Sequence, residues 1–311
     1  MVSRITPDPS LPNQSDKVCG VMLIRSGGRR LQPSRIIDRR GVRATVCLAF
    51  AAVAVHACTV ATDFSPGNDG RLTARPASAS TPIRGATADK LATDQPISGS
   101  LGAEFAPGTT RPLKLERSRD AVLQLPAKAT DQPLALLVML HGAGGSGEGV
   151  LRRVAAAAED AGVAVLAPDS RDATWDGIRG GFGPDVAFID RALARVFERV
   201  PIDPERIAVG GFSDGATYAL SLGLVNGDLF RRVVAFSPGF IVGGTPQGKP
   251  QFFVSHGTAD QILPIDQCSR VLVPQLQRRG YDVTFKEFGG GHQVPPDIAA
   301  EALRWLANRG V

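Results

Sequence analysis

Short apolar runs alternate with amphipathic stretches along the C-terminal two thirds of the chain. The unbroken apolar run at 134–140 (LALLVML) predicts a strand that is buried on both faces. Between residues 184 and 200, apolar side chains recur at helical spacing, and Pro184 suits the first turn of a helix. Further strands are predicted at 121–125, 163–167, 207–209, 233–236, 252–255 and 283–288, and further helices at 150–161, 216–225, 266–279 and 298–308.

This order of elements predicts an α/β fold, namely a mostly parallel sheet with helices on both faces. In such sheets, functional sites form at the carboxyl ends of the strands. No long insertion separates the strands at 233–236 and 252–255. A large lid domain is therefore not expected.

The first hundred residues differ in composition from the rest. Residues 1–43 are rich in arginine, and residues 44–61 are apolar, which is the layout of a secretory signal or anchor. The small residues before Cys58 loosely resemble a bacterial lipoprotein cleavage box, whereas a disordered leader with a chance apolar run is the alternative. Localisation therefore stays open between export, lipid anchoring and the cytoplasm.

Residues 62–100 are dominated by Ala, Thr, Ser, Pro, Gly and Asp, a composition that cannot bury enough apolar surface to fold alone. The predicted organisation is a basic leader with an apolar signal-like or anchor-like segment (1–61), a disordered linker (62–100) and one folded domain (101–311).

The excess of positive charge, +5 for the whole chain, is carried by the N-terminal 60 residues. Residues 1–60 contain nine basic and three acidic side chains, whereas the rest of the chain contains 26 and 27. The folded part therefore offers no electrostatic case for binding nucleic acid. Cys268 is the only cysteine after residue 61, so a disulfide framework is excluded there, and no cluster of Cys and His indicates a metal site.

Three motifs follow predicted strands in a fixed order: Gly-Phe-Ser-Asp-Gly at 211–215, then Asp260, then His292. A serine hydroxyl is a poor nucleophile at neutral pH. It needs a base to accept its proton and a carboxylate to orient that base. The order Ser, acid, His is that of a catalytic triad on an α/β-hydrolase, and the Ser213 motif has the required strand–turn–helix context.

Other residues could fill these roles. His141 and His256 each end a predicted strand, where a polar hydrogen-bonding role is the simpler interpretation. Asp169 and Asp203 also follow or flank predicted elements, but both precede Ser213, which breaks the expected order.

The glycine-rich segment 141–147 (HGAGGSG) allows two interpretations. Its G-x-G-x-x-G pattern is a weak signal for dinucleotide binding. Alternatively, such a turn exposes backbone N–H groups that stabilise a developing oxyanion.

Trp175, in the segment 171–183, is expected at the carboxyl edge of the sheet, where the three motifs also lie. It either forms a wall of the substrate pocket or packs without a functional role.

The strings HGAGGSG, GFSDGATYALSLGL, VVAFSPGF and HGTADQILPID resemble the phospholipase/carboxylesterase group of α/β-hydrolases and the related polyhydroxybutyrate-depolymerase-like esterases. The resemblance covers about residues 101–311. It implies a carboxylic-ester hydrolase without metal or organic cofactor, with Ser213 as nucleophile, Asp260 as acid and His292 as base. The oxyanion donors would be the N–H groups of Ala143 and Asp214.

The expected function is thus hydrolysis of small-molecule or oligomeric esters through an acyl-enzyme, with possible membrane attachment through the N-terminal segment. Two alternatives remain. One is a nucleotide-binding oxidoreductase that uses the GAGGSG loop, and the other is a non-catalytic, anchored binding protein on the hydrolase scaffold.

Overall fold

The computed structural model describes residues 69–76, 105–128 and 132–308. The predicted signal-like segment at 44–61 lies outside these residues. Eight strands form the sheet: β1 (Thr110–Pro112), β2 (Ala121–Gln124), β3 (Leu134–Leu140), β4 (Val163–Pro168), β5 (Ile202–Phe212), β6 (Arg232–Phe236), β7 (Gln251–Gly257) and β8 (Val283–Phe288). The helices are α1 (Gly147–Ala161), α2 (Pro184–Arg199), α3 (Asp214–Val225), α4 (Ser269–Arg278) and α5 (Pro296–Ala307).

The strands are arranged in the order β1-β2-β4-β3-β5-β6-β7-β8. Strands β1 and β2 are antiparallel to their neighbours, and β3 to β8 are parallel. The predicted fold class is thereby confirmed. The order differs from the 3-2-1-4-5-6 order of the dinucleotide-binding fold.

The alternation of side chains along β3 supplies both faces of the core. Leu136 and Val138 belong to the cluster that contains side chains of α2, α3 and α4. Leu137 and Met139 belong to the cluster with α1 and α5. Because both faces of the strand are covered, every residue of β3 is buried, which explains its uninterrupted apolar sequence.

Helix α1 begins three residues before its predicted start because Ser146 caps it. The Ser146 hydroxyl accepts a hydrogen bond from Gly149 N at 3.1 Å, and so satisfies one of the free N–H groups of the first turn. The helix ends at Gly162, whose left-handed conformation (φ 66°) lets its N–H reach the carbonyls of Ala158 and Glu159. This end agrees with the prediction.

Two elements have no clear signal in the sequence. All three residues of β1 are exposed, so the strand lacks an apolar pattern. A 3-10 turn at Asp176–Arg179 is too short to show a period.

Part of the predicted linker is ordered on the folded domain. Residues 69–76 lie against α2 and the end of α3, and Leu72 is only 2% exposed. The prediction of a disordered linker is therefore wrong for these eight residues. Composition missed them because one leucine and a few polar contacts hold the segment in place.

Within residues 69–76, 105–128 and 132–308, no helix has the length and apolar character needed to cross a membrane. The same residues contain no group of three or more side chains arranged as a metal site.

Candidate active site

Ser213 lies at a sharp turn between β5 and α3, with φ 59° and ψ −121°. A non-glycine residue in this region of backbone space is strained, and such strain is concentrated at functional sites. The two motif glycines are required by close contacts. A Cβ at Gly211 would lie 2.2 Å from the carbonyl carbon of Gly215, and a Cβ at Gly215 would lie 2.1 Å from Leu140 O. The turn therefore exposes the serine at the carboxyl edge of the sheet.

Asp260 and His292 form a hydrogen-bonded pair. His292 Nδ1 lies 2.6 Å from Asp260 Oδ2, and the carboxylate is almost fully buried. The other oxygen, Oδ1, accepts hydrogen bonds from the backbone N–H groups of Ile262 and Leu263, both at 2.9 Å. Both oxygens are therefore fixed, and the carboxylate can orient the imidazole.

His256 also contacts this carboxylate. Its Nε2 lies 2.7 Å from Leu263 O and 3.3 Å from Asp260 Oδ2. Because the Leu263 carbonyl can only accept, Nε2 carries the hydrogen, and Nδ1 accepts from the Ser269 hydroxyl at 2.7 Å. Burial lowers the pKa of His256, which favours this neutral form.

Phe212, the residue before Ser213, packs against the imidazole of His292 and so places it beside the serine turn. The two rings pack with their centroids 4.7 Å apart. In the part of the chain that the structure describes, no hydrogen bond joins the Ser213 hydroxyl to His292. Such bonds are often long in the absence of substrate and tighten when it binds.

The glycine-rich turn after β3 lies next to Ser213. A Cβ at Gly142 would approach Ser213 Cβ to 3.1 Å, so the absence of a side chain lets the turn come close. Asp214 is the first residue of α3, and its N–H therefore has no acceptor within the helix. Ala143 N–H has no backbone acceptor among the described residues. Both groups remain available to a ligand at Ser213.

Trp175 is fully buried and contacts the residue that precedes this turn. Its side chain has no exposed surface, and Nε1 donates to His141 O at 2.8 Å. The indole also stacks on Tyr218, with centroids 5.4 Å apart and an interplanar angle of 14°. The prediction of a direct substrate contact does not fit this placement. Trp175 supports the glycine-rich turn instead.

Two further hydrogen bonds join the turn to the segment around Trp175, here called the Trp175 segment (residues 169–183). Gly144 N donates to Ala173 O at 2.6 Å, and Ser170 N donates to His141 Nε2 at 3.0 Å. Because Ser170 N–H must donate, His141 is in its Nδ1–H form, and Nδ1 lies 2.8 Å from Gly142 O. Burial lowers the pKa of His141, which again favours the neutral ring.

A buried carboxylate pair closes the Trp175 segment into a loop. Asp176 Oδ2 accepts from Asp185 N at 2.8 Å, and Asp185 Oδ2 accepts from Asp176 N at 2.7 Å. The Tyr218 hydroxyl donates to Asp176 Oδ1 at 2.8 Å, and burial raises the pKa of that hydroxyl well above its usual range. Burial also raises the pKa of Asp185. No sequence pattern predicts this network, because Asp185 lies nine residues and Tyr218 lies 42 residues from Asp176.

The competing acids have other partners. Asp169 Oδ1 accepts from Gly147 N at 2.6 Å, and Asp203 pairs with Arg206 at 2.7 Å. The structure thus brings Asp260 and His292 together, places Ser213 and the glycine-rich turn beside them, and assigns the competing acids to structural contacts. His141 and His256 make hydrogen bonds at strand ends, as predicted, but the sequence did not identify their partners, which include Ser170 for His141 and Ser269 and Leu263 for His256.

Comparison with known sequences finds relatives among esterases. Residues 186–308 match the family described as Phospholipase/Carboxylesterase. Feruloyl esterase C of Emericella nidulans is 29% identical over 182 residues, which cover 55% of this chain and 66% of that protein. Acyl-protein thioesterase 1 of Aspergillus fumigatus is 29% identical over 116 residues, covering 34% of this chain and 48% of the thioesterase. The chain therefore spans at most about two thirds of the length of these curated relatives.

Among solved structures, FphF, a fluorophosphonate-binding serine hydrolase of Staphylococcus aureus, has a similar fold. The TM-score is 0.54 at 18% sequence identity, and the match covers 66% of this chain and all of that one. The fold and the sequence matches confirm the resemblance to esterases of the α/β-hydrolase superfamily.

Proposed function

We propose, from the premise that this chain has an α/β-hydrolase fold related to carboxylesterases, that it is a serine hydrolase acting on carboxylic esters. Ser213 is the nucleophile, His292 the general base and Asp260 the acid that orients it. Reaction through an acyl-enzyme follows from a serine nucleophile.

One observation carries the proposal. The strained turn presents Ser213 at the sheet edge where the buried Asp260 holds His292 Nδ1 at 2.6 Å. With its proton on Nδ1, the imidazole has a free electron pair on Nε2, the atom that must accept the serine proton.

In the first half of the reaction, His292 Nε2 accepts the Ser213 proton as Oγ attacks the ester carbonyl carbon. The carbonyl π electrons move to the oxygen and form an oxyanion. As the intermediate collapses, the C–O bond to the alcohol breaks, and His292 returns the proton to the leaving oxygen. Water then repeats these steps on the acyl-enzyme and releases the acid.

The N–H groups of Ala143 and Asp214 are assigned to the oxyanion. Neither group has a backbone acceptor in the described part of the chain; Asp214 directly follows Ser213, and Ala143 follows Gly142, whose backbone closely approaches Ser213. Donors that are already in place need no rearrangement as the charge develops, and one such donor contributes about 10²–10³ in kcat.

The substrate class is proposed from the shape of the site. Within residues 132–308, the connection between β6 and β7 is a short stretch without a helix, so it adds no lid over Ser213. An uncovered site suits small or exposed esters. The similarity to a protein named feruloyl esterase makes esters of aromatic acids a natural part of the substrate panel.

The test is covalent labelling with a fluorophosphonate, followed by peptide mapping and by assays with nitrophenyl esters of increasing acyl length. We expect a single adduct on Ser213 and no adduct or turnover in Ser213→Ala. Ser237→Ala is the matched control, because Ser237 also has a positive φ (52°) at the next strand but is fully buried. Labelling at another residue, or full activity in Ser213→Ala, would contradict the proposal. An unlabelled, inactive wild type would favour the non-catalytic alternative.

A further inference from the structure

Residues 69–76, here called the strap, bind the folded domain through several independent contacts. The strongest ionic contact is bidentate: Arg71 Nη1 and Nη2 lie 2.7 and 2.8 Å from the two oxygens of Asp228. Arg75 Nη2 reaches the same carboxylate at 2.9 Å. The hydrogen bond from Arg71 is the main cause that holds the pKa of Asp228 well below its usual range.

Asn226 pairs with the strap backbone as a neighbouring strand would. Its Oδ1 accepts from Leu72 N and its Nδ2 donates to Gly70 O, each at 2.8 Å. Asn226 is fully buried, so an unpaired amide there would be costly. The strap therefore supplies the donor to Oδ1 and one of two acceptors of Nδ2, the other being Leu222 O at 3.0 Å.

On α2, the carboxylate of Asp190 accepts three hydrogen bonds from the strap. They come from Thr73 N, Ala74 N and the Thr73 hydroxyl, at 2.7, 2.8 and 2.5 Å. Leu72 lies between these contacts and joins the same apolar cluster as Trp175 and Tyr218. Exposed ion pairs contribute little to stability. Most of the free energy that keeps the strap in place therefore comes from the burial of Leu72 and the hydrogen bonds to Asn226.

The strap also touches the Trp175 segment. Gly70 has φ +77°, and a Cβ there would lie 2.5 Å from Phe182 Cδ2, so the backbone lies directly on the Phe182 ring. Phe182 packs against Tyr218, with centroids 5.7 Å apart, and Tyr218 stacks on Trp175. Trp175 Nε1 in turn donates a hydrogen bond to the carbonyl of His141, the residue that precedes the glycine-rich turn.

We propose that the strap is a positioning element of the active site: through Phe182, Tyr218 and Trp175 it fixes the turn that carries Ala143. This inference rests on the proposed function for its catalytic consequence. The strap touches no reacting atom. It acts by fixing the location of one oxyanion donor.

The experiment uses the full chain with Trp305→Phe, which leaves Trp175 as the sole tryptophan. Two strap variants are made in this background. Leu72→Ala removes the buried side chain, and Gly70→Ala pushes on Phe182. We expect a red shift of Trp175 emission and roughly a ten- to hundredfold loss of kcat on a nitrophenyl ester, with a smaller change in KM, because small misplacements of catalytic groups are costly.

Leu306→Ala is the matched control, since it truncates a fully buried leucine of α5 on the other face of the sheet. It should lower Tm as Leu72→Ala does, yet leave kcat and Trp175 emission unchanged well below Tm. Leu72→Met should restore both readouts. If the strap variants keep wild-type emission and kcat while only Tm falls, the strap is merely structural and the inference is wrong.

The two proposals fail in different ways. If the background protein neither hydrolyses esters nor labels at Ser213, the proposed function fails, whereas Trp175 emission still reports whether the strap positions its segment. If the background protein is active and the strap variants match Leu306→Ala, the positioning role alone fails.

Discussion

His256 Nε2 lies 3.3 Å from the oxygen of Asp260 that also contacts His292 Nδ1. A second imidazole therefore supports the carboxylate from its buried side. We expect His256→Ala to lower kcat about ten- to hundredfold, because it removes the Nε2–H group that bonds Leu263 O and faces the Asp260 carboxylate. His256→Gln should recover part of the activity, because its amide can donate where Nε2 does. Equal losses in both variants would show that shape, rather than this hydrogen bond, matters.

Asp260→Asn should fold normally and lose roughly 10⁴-fold in kcat, because an amide favours the wrong tautomer of His292. Steady-state kinetics and a thermal melt measure the two effects. Asp266→Asn is the control, since Asp266 is an exposed neighbour that pairs with Arg270. If Asp260→Asn keeps wild-type turnover, another group orients the base.

Ser213→Gly should be more stable than Ser213→Ala by about 1 kcal/mol. The backbone at this position, with φ 59° and ψ −121°, is strained for any residue with a Cβ. Relief of about 1–3 kcal/mol is partly offset by the greater chain entropy of glycine, about 0.5–1 kcal/mol. Urea unfolding of the two variants provides the comparison. Equal stability would mean that the turn is not strained.

Stability should fall as the pH decreases below about 6.5, the usual pKa of histidine. Burial lowers the pKa of both His141 and His256 in the folded state, so the unfolded chain takes up protons first. Each group can contribute a slope of at most about 1.4 kcal/mol per pH unit. Urea unfolding between pH 7.5 and 5.5 tests this, and the slope should shrink in His256→Gln. A stability that is constant over this range would contradict the assignment of neutral rings.

Deletion of residues 1–68 should leave Tm close to that of the full chain, whereas deletion of residues 1–76 should lower it clearly. The second deletion removes Leu72, the partners of Asn226 and both arginines that face Asp228. Thermal melts of the two proteins at equal concentration decide the point. Identical melting temperatures would show that the strap contributes nothing to the stability of the domain.

Much of the fold could be predicted from the sequence because its central strands are buried on both faces. Strand β3, an unbroken apolar run that is buried throughout, has the predicted bounds, and so has β8, whose sequence VTFKEF alternates and is only partly buried. Helix α2 begins at the predicted Pro184 and ends one residue before its predicted end. The order of Ser213, Asp260 and His292 also pointed to one edge of the sheet, because residues that directly follow parallel strands meet there.

The rest could not be predicted because it depends on contacts between distant residues. The pairing of Asp176 with Asp185 and Tyr218 leaves no periodic pattern. The burial of Trp175 is likewise set by its hydrogen bond to His141 O, which connects two loops. The strap was missed for the same reason, since Leu72 is a single apolar residue in a polar stretch.

The docking of residues 69–76 changes the length of the tether between the domain and the apolar segment at 44–61. A linker over the whole of 62–100 would allow a large distance between the domain and that segment. The covalent path from residue 61 to residue 69, in contrast, spans at most about 30 Å. If the apolar segment enters a bilayer, the domain is held within that distance of it. Because residues 76 and 105 both belong to the described domain, a change in the number of residues between them would not alter this reach.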